Sequence, residues 1–131
     1  MADLEYIARK ALAARQFEQV AGPVTFSMQL PTKLESSIAY AQSLVASGRR
    51  DAVANLRFQR ALVLQAVVGW RGVLVQHVLP RHPDPAEVFE FEPGAAEVLL
   101  DAQPEWETEL LQALLGRVAA REAAEDSAEK N

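Results

Sequence analysis

Cysteine is absent from this chain, which excludes a disulfide framework, a thiolate nucleophile and any cysteine-ligated zinc. Histidine is nearly absent, with only His77 and His82. Positive charge is in the minority: 13 Lys and Arg stand against 18 Asp and Glu, a net charge of −5. The clustered cations that displace phosphate counterions are therefore missing, and nucleic acid is not an expected partner. No apolar run reaches the roughly 20 residues that a membrane-spanning helix needs. The longest, residues 61–79, is interrupted by Gln65, Gly69, Arg71, Gly72, Gln76 and His77. The opening MADLEYIARKALAARQ mixes both charge signs among its apolar residues, unlike a signal peptide. These absences predict no membrane association and a cytoplasmic protein.

With 131 residues, 50% of them apolar and 24% charged, the chain has the balance of one folded domain. Leu4, Ile7, Ala8, Ala11 and Leu12 form a helical stripe and predict a first helix from Asp3 to about Gln19. Val24, Phe26, Met28 and Leu30 alternate with polar residues as in a half-buried strand that Pro31 closes. Thr32 and Glu35 have the spacing of a capping box, so a helix should begin there, carry Leu34, Ile38, Ala41 and Val45 on its inner face, and end at Gly48. Asp51 can cap the next helix, expected over Ala52 to Val68. Its Val53, Leu56, Leu62, Val63, Leu64, Val67 and Val68 widen until the segment reads as central and buried, with Gly69-Trp70-Arg71-Gly72 as its exit.

The polar PRHPDPAE predicts a loop and VFEF a short edge strand. Pro93 and Pro104 suit first helical positions, where a missing N–H costs nothing. The second of these helices aligns Trp106, Leu110, Leu114 and Val118, widened by Leu111 and Leu115. The expected fold is mainly α with a minor β-hairpin or short strands, one helical domain over residues 1–121 followed by an acidic, frayed tail over 122–131.

Chemistry finds little purchase. His77, His82 and Asp84 lie in or beside the proline loop without a ligand motif, so no metal is expected. The pairs Glu90 with Glu92 and Glu105 with Glu109 read as solvated faces rather than an acid and base. Neither a nucleophile elbow nor a phosphate-cradling glycine loop occurs, so no enzyme activity and no cofactor are expected. The helices 32–47 and 51–68 have helix-turn-helix spacing, with Arg49, Arg50, Arg57 and Arg60 nearby, but the second is dominated by Leu and Val where base-reading polar residues would stand. The apolar surplus of the last helix and of Val73 to Leu79 suggests a binding surface, self-association included.

The order of features is itself informative: a short strand ending in a PT helix start, an apolar helix leading to GWRGV, FEF, then LL…PEW…LLQALLGR. From about Val24 to Arg121 this resembles the tail assembly chaperones of long-tailed bacteriophages. Trp70-Arg71-Gly72-Val73, Phe89 to Phe91, Leu99-Leu100 and Trp106 take the family's places, although HVLPRHPDPAEV is longer and richer in proline than the usual connection. The resemblance implies a non-enzymatic protein of the bacterial cytoplasm, not kept in the mature virion, that binds the tape measure protein, keeps it soluble and recruits major tail (tube) protein subunits. It also implies a partner surface, for which Trp70, Val73, Leu110, Leu111 and Leu114 are the candidates. The same resemblance would suit a protein that blocks the tail assembly of competing phages, and a small regulator built on the helix-turn-helix-like pair is a third expectation.

Overall fold

A computed structural model describes residues 3–47 and 52–130. The protein is 61% helical with one small antiparallel sheet, so it is mainly α with minor β. Helix α1 (Leu4–Arg15) is N-capped by Asp3, whose carboxylate accepts the Tyr6 N–H at 2.8 Å. It ends at Arg15, short of the expected Gln19, because Gln16 is already extended and opens strand β1 (Gln16–Ala21). Strand β2 (Val24–Gln29) pairs with β1 from Gln16↔Gln29 to Ala21↔Val24. The two-residue loop between them places Gly22 at φ +57°, the hand that tight hairpin turns require.

Helix α2 (Lys33–Ser47) starts where the capping box places it. The Glu35 N–H donates to Thr32 Oγ1 at 3.1 Å, and the Thr32 N–H donates to Glu35 Oε1 at 2.9 Å. Helix α3 (Ala52–Ala66) stops two residues before the expected Val68. Val67 and Val68 belong instead to strand β3 (Val67–Arg71), which pairs with β2 through Thr25↔Arg71, Phe26↔Trp70, Ser27↔Gly69 and Met28↔Val67. Two β-branched residues in a row suit a strand, and the open edge of β2 supplies the hydrogen bonds that one more helical turn would have made. The expected Gly48 terminus, the Asp51 cap and Arg49 and Arg50 lie outside the described residues.

A single 3₁₀ turn (Val75–His77) follows β3. VFEF forms no strand: one bridge joins Leu74 to Val88, flanked by bonds from Val75 N–H to the Glu87 carbonyl and from Phe89 N–H to the Val73 carbonyl. Pairing stops there because the partner segment has turned into the 3₁₀ helix. Helix α4 (Ala95–Ala102) begins behind Gly94 at φ +89°, not at Pro93, which sits in the turn before it. Helix α5 (Pro104–Lys130) does start at its proline and continues as helix through 122–130, the stretch expected to fray.

The core lies on one face of the sheet. Val24, Phe26 and Met28 point into it and meet Leu62, Val63 and Ala66 of α3, Val73, Leu99 and Leu100 of α4, and Trp106, Leu110 and Leu114 of α5. On the opposite face, where Val20 and Val68 are exposed, Arg71 reaches across β2 to grip Glu18 of β1 with two hydrogen bonds, at 2.9 and 3.3 Å. Those bonds, more than the charge alone, hold the Glu18 carboxyl below its ordinary pKa.

Candidate interaction surface

The five side chains expected to meet a partner separate into two groups. Val73, Leu110 and Leu114 are fully buried core residues and offer no surface. Trp70 is half-buried in β3, where its Nε1–H donates to the Phe89 carbonyl at 2.8 Å and its ring packs edge-on to Phe91 at 5.0 Å and Phe26 at 6.1 Å. Its role is to fasten the 89–91 segment onto the sheet. Leu111 is partly buried and lines a small pocket that adjoins an open apolar groove.

That groove runs between α3 and α5. Its apolar floor is Leu56, Ala61 and Leu64, with Arg57, Arg60 and Glu107 on the rim; a smaller, more enclosed pocket shares Leu56, Arg60 and Glu107 with it and is otherwise lined by Gln59, Thr108 and Leu111. Leu56 is 66% exposed there, although the sequence places it among core residues. The α3 residues that reach the core, Leu62, Val63 and Ala66, lie further along the helix, toward its C-terminal end. Leu56, Arg60 and Leu64 recur at every fourth residue, and the arginine in that row is the sequence signal that marks a rim rather than a core face.

Arg60 fixes the groove's geometry. Its Nε donates to Glu107 Oε1 and its Nη1 to Asp101 Oδ1 at 2.8 Å, joining α3 to both α4 and α5. The Glu107 bond raises its pKa most, against the lowering effect of partial burial, and the Asp101 bond adds to the rise. A guanidinium engaged by two carboxylates is poorly placed to read phosphates or bases.

No protein-family model matches this chain, and no curated protein or solved structure is similar to it.

Among the remaining candidates for chemistry, His77, Asp84 and Glu109 are engaged in hydrogen bonds that hold the fold. His77 Nδ1 accepts the Leu74 N–H at 2.9 Å, and its ring packs edge-on to Trp106 at 5.1 Å. His82 lies 3.3 Å from Glu87, and Asp84 accepts the Ala86 N–H within the loop. Glu109 accepts the Gly22 N–H at the hairpin turn, while Glu90, Glu92 and Glu105 are exposed. Among the described residues no three His, Asp or Glu side chains are gathered to hold a metal ion, and no helix is long and apolar enough to cross a membrane.

The apolar surface is larger than the groove. The inner face expected for α2 is turned outward: Leu34 is 69% and Ile38 47% exposed, and Ala41 is exposed as well, while the side chain of Val45 lies outside the described ones. The α1 stripe is also bare, since none of that helix's residues is buried. The reason lies in the connections. The capping box and β1 set the directions of α2 and α1, and α3 and α5, backed by α4, already cover the core face of the sheet, so the stripes of α1 and α2 are left outside it.

Proposed function

We propose that the protein is a non-enzymatic binding protein that receives an apolar helical segment of another protein in the α3–α5 groove. The observation that carries this reading is Leu56, exposed in an apolar groove with Ala61 and Leu64 and adjoining the pocket that Leu111 lines. A groove between two helices fits the apolar face of a third, with a few anchors supplying most of the affinity. The sequence resemblance supplies the setting: a tail assembly chaperone whose helical client is the tape measure protein, held soluble until major tail protein subunits arrive.

Coexpression with tape measure fragments, followed by affinity capture and size exclusion, tests this. The wild type should co-elute with an otherwise insoluble fragment, and Leu56→Asp and Leu111→Asp should lose it while keeping the wild-type circular dichroism. Trp70→Ala should weaken capture only so far as it loosens the 89–91 segment. Aggregation of every fragment beside the wild type, or equal capture by Leu56→Asp, would overturn the reading.

A further inference from the structure

We infer that α1 is a self-pairing helix: two copies of the protein associate through antiparallel contact of their α1 stripes, about a two-fold axis near Ile7. Three observations lead there. The helix has 12 residues, a length at which an isolated helix is marginal in water, and not one of them is buried. Among the described residues its side-chain anchor to the body is in the last turn, Arg15 Nη1 donating to the Leu30 carbonyl at 3.2 Å and to Glu35 Oε1 at 3.0 Å. Its stripe is bare, with Leu4 81%, Ile7 54% and Leu12 41% exposed.

The charges identify the occupant. Along α1 the acids come first, Asp3 and Glu5, and the bases Arg9 and Lys10 follow. Glu5 and Arg9, four apart, share one flank of the stripe, and Asp3 and Lys10, seven apart, share the other. Among the described residues, Glu5 and Arg9 have no ion-pair partner within the chain; Lys10 lies 5.7 Å from the Tyr6 ring centroid, and Asp3 only caps the helix. In an antiparallel pair each flank meets its own copy in reverse. A two-fold axis at Ile7 therefore sets Glu5 against the second copy's Arg9, and Asp3 beside its Lys10, on both sides of a seam in which Leu4 meets Ala11 and Ile7 meets Ile7. A parallel, in-register pair would instead set like charge against like. The small Ala8 and Ala11 let the two backbones approach closely.

This inference uses α1 and not the α3–α5 groove, so either can fail without the other. Sedimentation equilibrium of the full chain tests it. The wild type should dimerise, and Glu5→Arg and Arg9→Glu should each weaken the dimer by about tenfold or more, since each turns attractive pairs into repulsive ones. An equimolar mixture of the two variants should dimerise again, because the charges of one complement those of the other; a mere folding defect would not be restored by mixing. Orientation is read by cross-linking, which the absence of native cysteine makes unambiguous. Ile7→Cys should oxidise to a covalent dimer. Leu4→Cys should not, because in the antiparallel pair the two positions lie about 9 Å apart along the axis, beyond disulfide reach. A wild type that stays monomeric at high concentration, a mixture that stays dissociated, or cross-linking through Leu4→Cys would each overturn it.

Discussion

Helices α1 and α5 make opposite use of an apolar stripe. In α5, Trp106, Leu110 and Leu114 are buried against the sheet, α3 and α4. In α1, Leu4, Ile7 and Leu12 are as regularly spaced and touch no core. Periodicity states that a helix has a face to cover; what covers it depends on which surfaces the other elements have already taken. Here α3 and α5, backed by α4, occupy the core face of a three-stranded sheet, and α1 and the exposed stripe of α2 are left outside.

The sharpest contrast between the two regions is in stability. Leu110→Ala should cost about 2–5 kcal/mol, the range for emptying a close-packed site, whereas Leu4→Ala, read at concentrations low enough to keep the protein monomeric, should stay within about 0.5 kcal/mol, as exposed positions do. Denaturant unfolding of the two variants checks this, and equal losses would mean that α1 packs against the body. Gly22→Ala comes next, at about 1–3 kcal/mol. Its new Cβ would stand 2.4 Å from Trp106 Nε1 at a positive φ, so the hairpin and the start of α5 must both give way. Thr32→Ala should cost about 1 kcal/mol through loss of the α2 cap.

The smallest effect is read against pH. The Thr32 N–H, and with smaller weight the Thr32 hydroxyl contact and Arg15, hold the Glu35 carboxyl below its ordinary value of 4.5. A depressed carboxylate contributes stability that is complete above 4.5 and is lost as pH falls through its lower folded-state value. Urea midpoints between pH 7 and 3 should therefore fall less steeply for Glu35→Gln than for the wild type. Parallel curves would contradict the assigned role of the cap.

Elements specified by local chemistry were legible. The Thr32–Glu35 box, the alternation of β2, Pro104 as the first residue of α5 and that helix's buried stripe all follow from neighbouring residues. Elements specified by partners were not. Nothing local in Val67 and Val68 opposes helix strongly, and it is pairing with β2 that makes them a strand. Strand β1 carried a signal that the α1 stripe masked: Phe17, Gln19 and Ala21 alternate inward, and only Gly22-Pro23 separates them from β2. For the interaction surface, the large apolar residues Val73, Leu110 and Leu114 proved to be core, because size and burial go together. Leu56 and its groove were hidden in the same α3 run as the core residues Leu62 and Val63.

On the proposed function, the α3–α5 groove binds a helix while the sheet side only holds the fold. Hydrogen exchange of the protein alone and with a captured tape measure fragment tests it most directly. New protection should appear in residues 56–64 and 107–115, leave residues 16–29 unchanged, and vanish in Leu56→Asp. Protection confined to the sheet, or unchanged exchange across the groove in a complex that co-elutes, would contradict it.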